Sequence, residues 1–160
     1  MDFLEEIEGV FDKLGGRELS AFYTQKIDDF LTELFYSIES QKPLALIAIG
    51  GYGRAELAPY SDIDIMFFAR DKADSKKVET VLYKLWDTGL TIGHCFRTPA
   101  DCIAEAKKDL RTHTSLLEAR FIAGDKELYN YFHEKVYSEL AFRKQKNFIT
   151  GKLKEMEKRH

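Results

Sequence analysis

The sequence predicts an α+β domain with helical segments at both ends. Two observations carry that prediction. Helical hydrophobic periodicity fills the first forty residues and returns beyond Thr98. Between them, short apolar runs at Leu44 to Ile49 and Ile63 to Phe68 are punctuated by glycine and aspartate. In the first segment, Phe3, Leu4, Ile7, Val10, Phe11 and Leu14 recur at helical spacing until Gly15-Gly16 breaks the run. A longer helix is expected from about Arg17, with Ile27, Phe30, Leu31, Leu34, Phe35 and Ile38 on one face and Gln41-Lys42-Pro43 ending it. The run Leu44 to Ile49 is apolar almost throughout and predicts a central strand covered on both faces.

A glycine turn and the loop Ala55 to Tyr60 lead into the second strand, and Arg70 to Lys77 forms a polar connection. Val78, Val81, Leu82, Leu85 and Trp86 predict a helix that Gly89 stops, with Trp86, Phe67 and Phe68 read as core. Leu90 to Arg97 has strand character, with Ile92, His94 and Phe96 alternating against Thr91, Cys95 and Arg97. Thr98-Pro99 is a helix start, because threonine caps free N–H groups and proline fits the first turn. That helix is expected to reach toward Leu110, and another to hold Leu116, Leu117, Ala119, Phe121 and Ile122. Gly124-Asp125 then closes one helix and caps the next, which carries Leu128, Tyr131, Phe132, Val136 and Leu140. From Arg143 a charged helical pattern runs to Lys158-Arg159-His160 without helix-stop residues, the ending expected of a chain that continues.

The 160 residues suit one domain with a real core, and the 44% apolar fraction with abundant Phe and Tyr argues for a folded chain. A net charge of −3 lacks the sequence-wide basic balance of nucleic-acid binders. Cys95 and Cys102 show no metal-ligand spacing and read as free thiols in a reducing compartment. With no signal-like N-terminus and no membrane-length apolar run, the expected location is cytoplasmic.

The most informative stretch is residues 50 to 64, Gly-Gly-Tyr-Gly-Arg-Ala-Glu-Leu-Ala-Pro-Tyr-Ser-Asp-Ile-Asp. Alternate strand residues share a side, so Asp62 and Asp64 project together where the second strand opens. Two carboxylates so placed repel each other and call for a cation between them. Glycines just before them leave backbone N–H groups free for an anion. Divalent metal on one side and phosphate on the other is the layout of nucleotidyl transfer, in which two divalent ions clamp the attacking and leaving oxygens. Hard oxygen ligands suit Mg²⁺, for which Asp62 and Asp64 are the candidate ligands and catalytic residues. Gly50 and Gly51 are candidates to hold phosphates through their N–H groups, and Arg54 to add a forked contact. Ser61 either donates to phosphate or caps the turn. The three glycines alone match neither the P-loop nor the dinucleotide fingerprint, so specificity lies in the whole constellation.

These residues resemble a known family. Gly50-Gly51-Tyr52-Gly53-Arg54-x-Glu56-Leu57-x-Pro59-x-Ser61-Asp62-Ile63-Asp64 closely resembles the nucleotidyltransferase domain of bacterial PII uridylyltransferase/uridylyl-removing enzymes. The similarity continues through Leu85-Trp86-Asp87-x-Gly89-Leu90-x-Ile92-Gly93-His94-x-x-Arg97-Thr98 and Leu116-Leu117-Glu118-Ala119-Arg120-x-x-x-Gly124-Asp125. It implies the polymerase-β-like fold, a small mixed sheet flanked by helices. It also implies UTP as donor, a tyrosine of the nitrogen-regulatory PII protein as acceptor, and Mg²⁺. Residues 1–42 would then be helices packing on the domain, 43–125 the nucleotidyltransferase core, and 126–160 a helical segment leading toward further domains. Many polymerase-β-like transferases use a third carboxylate on a later strand, but Leu90-Thr91-Ile92-Gly93 carries no acid. The family's HD hydrolase and ACT domains are not in these 160 residues, so activity of this stretch is expected to lack demodification and glutamine control.

Arg97 is a further candidate for phosphate or PII contact, and His94 reads as structural. Arg111, His113, Glu118 and Arg120 read as salt-bridged surface or interhelix contacts. Two other readings stand beside uridylyl transfer: a related nucleotidyltransferase with another nucleotide or acceptor, and a non-catalytic nucleotide-binding regulatory module, favoured by the missing third acid.

Overall fold

The computed structural model describes residues 3–10, 13–71 and 75–159. Phe11, the middle of the polar connection at 72–74, and His160 lie outside the described residues, as do the side chains of Phe3, Leu4 and Ile7. A mixed four-stranded sheet, in the order β3-β2-β1-β4, forms the centre. β1 (Ala45–Ala48) pairs antiparallel with β2 (Ile63–Phe68) and with β4 (Arg120–Gly124), whereas β3 (Ile92–Arg97) runs parallel to β2. The α+β expectation and the mixed sheet both hold.

Helices cover both faces. Against one face lie α2 (Gly16–Tyr36) and α4 (Ser75–Trp86), which bury Ile27, Leu31, Phe35, Val81 and Leu85 on Leu46, Ile63, Ile65 and Phe67. Against the other lie α5 (Pro99–Lys108), α6 (Leu110–Leu117), α7 (Lys126–Tyr131) and α8 (Ser138–Lys158), which cover Ile47, Ile49, Met66 and Phe68. β1 is therefore buried at every position, because both of its faces meet helices. The first segment forms the short α1 (Phe3–Glu8), and the glycine turn is itself one helical turn, α3 (Gly50–Gly53).

Local signals account for several boundaries. Thr98 and Asp101 form a reciprocal capping box with Pro99 at the first position of α5. Asp125 caps α7, accepting a hydrogen bond from Leu128 N. Asp109 ends α5 and caps α6, so the run expected to reach Leu110 stops at Lys108. A π turn at Phe132–Tyr137 joins α7 to α8. Leu128, Phe132, Val136 and Leu140 are all buried at a strict spacing of four, which an α-helix of about 3.6 residues per turn cannot keep in register. The wider turn corrects that drift.

Two expectations are corrected. Phe121 and Ile122 belong to β4, not to a helix with Leu116 and Leu117, and Gly124 ends that strand. Pairing Arg120–Gly124 satisfies backbone groups that β1 would otherwise leave bare on that edge, and this outweighs an ambiguous apolar spacing. Trp86 is not core: it is 57% exposed, with its ring edge against Tyr83 and tilted beside His94. Phe67 and Phe68 are fully buried as expected.

One polar network ties the layers together. Arg120 on β4 donates to both carboxylate oxygens of Asp28 on α2, at 2.7 and 3.2 Å. It also donates to Tyr52 O at 3.0 Å and Gly53 O at 3.3 Å in the glycine turn. The Tyr52 hydroxyl completes the triangle, donating to Asp28 Oδ1 at 2.6 Å. Arg120→Ala strands a half-buried carboxylate and two carbonyls, and should cost about 2–3 kcal/mol in urea unfolding. Arg120→Lys should recover only part of that loss, because an ammonium lacks the fork.

Candidate active site

The site forms where β1 ends and β2 begins. Ile49 N donates to Asp64 O, so the ladder between these strands runs up to the glycine turn. Gly50 follows with φ of +62°, a left-handed conformation that reverses the chain at low steric cost only for glycine. A methyl group placed on Gly50 would lie 3.4 Å from Ser115 Oγ and 3.6 Å from Asp64 Oδ2. The turn, β2 and α6 therefore meet at one point.

Ile63, Ile65 and Phe67 face α2 and α4, so alternation turns Asp64 toward α5 and α6. Asp62 is exposed just before the strand, and Asp64 is half-buried within it. Neither carboxylate accepts a hydrogen bond among the described residues. Burial raises the Asp64 carboxyl above its usual range, and the neighbouring Asp62 charge adds to the rise. The ionised pair is thus poorly compensated within the chain. That is the condition expected of a donor set for a hard cation, and two carboxylates with substrate oxygens and water suit Mg²⁺.

Across the parallel ladder, Asp64 stands opposite Gly93. A methyl group on Gly93 would overlap Asp64 Oδ1, so the carboxylate occupies the space that any side chain there would need. Among the described residues no group of three or more His, Cys, Asp or Glu side chains gathers to hold a metal. The later strand supplies no third acid, and the reason is steric as well as chemical.

A cleft of about 340 Å³ opens from Asp64 and Gly93 past Cys95 to Arg97, with Arg111, Thr112 and Ser115 of α6 as its opposite wall. The guanidinium groups of Arg97 and Arg111 have no ion-pair partner among the described residues. Burial pushes the Cys95 thiol up and raises Cys102 to about 12, so both free thiols stay protonated at neutral pH and neither is a nucleophile. A larger groove, about 700 Å³ between α5, α6 and α8, is lined by Lys107, Glu139 and Arg143 but lacks an acid pair.

The other sequence candidates separate. Gly50 comes against Asp64, Asp62 is close enough for its charge to act on Asp64, and Arg97 lines the cleft that Asp64 opens, whereas the nearest side chain to Gly51 is that of Arg54. Arg54 is exposed and held by Glu118 at 2.5 Å and Glu56 at 3.1 Å. The Ser61 hydroxyl donates to Ala58 O, the turn-capping alternative. His94 borders the cleft and lies beside Trp86. Glu118 and Arg120 form the ion pairs anticipated for them, and His113 is buried, donating from Nε2 to Leu140 O at 2.8 Å. Among the described residues Arg111 has no ion-pair partner, contrary to the sequence reading. Ser115 was missed, although its spacing of four from Arg111 puts both on one face of α6.

No family model matches the chain. It is 40% identical over 140 residues to the bifunctional uridylyltransferase/uridylyl-removing enzyme of Erythrobacter litoralis, covering 84% of this chain and 15% of that protein. The enzyme of the same name from Hydrogenovibrio crunogenus is 40% identical over 99% of this chain and 18% of its own length. That of Burkholderia lata is 47% identical over 73% of this chain and 14% of its own length. The chain therefore spans less than one fifth of the length of these relatives. Among the described residues no helix is long and apolar enough to cross a membrane. Over most of its own length, the chain is homologous to one stretch of the bifunctional uridylyltransferase/uridylyl-removing enzymes.

Proposed function

We propose that this chain is a polymerase-β-like nucleotidyltransferase domain that moves UMP from UTP to a tyrosine of the PII nitrogen-regulatory protein, releasing pyrophosphate, in the cytoplasm. The observation that carries the reading is the pair Asp62 and Asp64, without hydrogen-bond partners among the described residues, with Asp64 set against a left-handed glycine turn. Similarity to enzymes named for uridylyl transfer supports the nucleotide and the acceptor.

Asp62 and Asp64 would hold Mg²⁺, which when bound would offset negative charge on the triphosphate. In the transfer the tyrosine gives up its phenolic proton to solvent, its oxygen bonds to the α-phosphorus, and the bond from that phosphorus to the bridging oxygen breaks to release pyrophosphate. The first N–H groups of the glycine turn have no partner within the turn, and at Gly50 and Gly51 they would meet a phosphate with no side chain of their own in the way. Arg97 is free to take a phosphate oxygen; Arg54 must first leave Glu56 or Glu118. A tyrosine acceptor loses its proton near pH ~10, far more readily than a sugar hydroxyl, which suits a site with two acids rather than three. The absent third acid also favours a second reading, a nucleotide-binding regulatory module without catalysis.

Incubation with α-labelled UTP, Mg²⁺ and purified PII separates the readings. Labelled PII is expected, and Asp62→Asn or Asp64→Asn should lower the rate about 100-fold or more. UTP binding by calorimetry without label on PII favours the regulatory module, and transfer undiminished in both variants overturns the assignment of the acids. Asp64→Asn should also melt higher than the parent chain at pH 7 without metal. A carboxyl whose folded value is raised destabilises the fold as pH climbs from about 3.9, its unfolded value, through the raised value. The gain should disappear below about pH 4, where both forms are neutral, and shrink when Mg²⁺ is added to the parent. Thermal melts across pH measure both effects.

A further inference from the structure

We infer that the face of α6 bearing Arg111 and Ser115, together with Arg97 on β3, is the second wall of the nucleotide site and binds the phosphate chain of the donor. The inference rests on the nucleotidyltransferase reading of the cleft and adds residues that the glycine-and-aspartate motif does not contain.

Three observations converge. Arg97 and Arg111 approach the same cleft from opposite walls, one from a strand and one from a helix. Elsewhere around the site, arginines are consumed by carboxylates: Arg54 by Glu56 and Glu118, Arg120 by Asp28. Arg97 and Arg111 alone among these four have no such partner, so the cleft holds two uncompensated positive charges beside the acid pair. Two guanidinium groups lining one polar cleft repel, and a multivalent anion removes that repulsion while supplying forked acceptors.

The third observation is Ser115. Its hydroxyl makes no side-chain hydrogen bond among the described residues, lies 3.4 Å from where a methyl group on Gly50 would sit, and lines the same cleft as Asp64. Thr112, by contrast, is occupied: its hydroxyl donates to Asp109 Oδ2, and the Arg111 N–H is taken by Asp109 Oδ1. The anion contact on α6 is therefore made by side chains and not by the helix terminus. Ser115 and Arg111, four residues apart, form a donor track leading from the glycine turn toward Arg97. A phosphate chain anchored at Gly50 and Gly51 follows that track with its charge matched along its length, while its opposite side meets the cation held by the acids.

The test is calorimetry of the intact chain with two probes, inorganic pyrophosphate and UTP, each with Mg²⁺, on the parent, Arg111→Gln, Arg111→Lys and Ser115→Ala. Arg111 is exposed and Ser115 packs no core, so melting curves should coincide with the parent's. Arg111→Gln is expected to weaken both probes by roughly tenfold to a hundredfold, with partial recovery in Arg111→Lys and a smaller loss in Ser115→Ala. Parent-like affinity of Arg111→Gln for both probes overturns the α6 wall while leaving the nucleotide site at the acids intact. Arg111-dependent binding of pyrophosphate without any binding of UTP supports the anion wall and overturns the nucleotide reading. Binding of neither probe to the parent overturns both.

Discussion

The site depends on one contact, the grip of Arg120 through four hydrogen bonds. Its guanidinium joins Asp28 of α2 to two carbonyls of the glycine turn, and Tyr52 closes the circuit from within that turn. A four-residue helical turn has too few internal hydrogen bonds to hold its own orientation. Its position relative to Asp64 is imposed from outside, by an arginine on the edge strand and an acid on a distant helix. Burial and the Asp28 hydrogen bond push the Tyr52 hydroxyl above its ordinary range, which favours the protonated form that donates to Asp28. The glycine turn can be rigid here because β4 pairs on β1 and carries Arg120 to the turn's carbonyls.

Charge around the cleft is sorted by the same logic. Arginines that serve the architecture have carboxylate partners at hydrogen-bonding distance, and those that line the cleft have none among the described residues. The acids divide likewise: Asp28, Glu56 and Glu118 are compensated, whereas Asp62 and Asp64 repel each other at the strand mouth. A half-buried carboxylate with a like-charged neighbour costs stability in the free chain. The fold tolerates it because the surrounding sheet, with Ile63, Ile65, Met66, Phe67 and Phe68 all buried, is stable enough to carry it. Gly93 belongs to this arrangement, since the space it leaves is filled by Asp64 itself.

Much of this was legible in the chain as a string of residues. The runs at Leu44 to Ile49 and Ile63 to Phe68 identified the paired central strands, and Thr98-Pro99 and Gly124-Asp125 marked helix starts. Asp62, Asp64 and the glycines are close in sequence, so their meeting required only a strand, a turn and a second strand. β4 was not legible, because Leu116, Leu117, Ala119, Phe121 and Ile122 satisfy helical and extended spacing alike, and the bare edge of β1 decides between them. Trp86 was misread because it follows the fully buried Leu85 at the last position of α4, where the helical spacing alone does not show that the ring lies exposed beside His94.

What the sequence determined by itself is local chemistry: which residues carry negative charge, which turn permits a left-handed backbone, which runs must be buried. Those properties act over a few residues and need no partner to be named. The tertiary structure alone decided which arginines are spent on carboxylates and which are left facing the cleft, because that depends on residues as much as 92 positions apart, as in Arg120 with Asp28. It also decided that Gly93 lies across from Asp64 and that α6 faces the acid pair, through strand register and helix packing. A guanidinium is the same group wherever it occurs in a sequence, and only its neighbours in space make it a strut or a binding group.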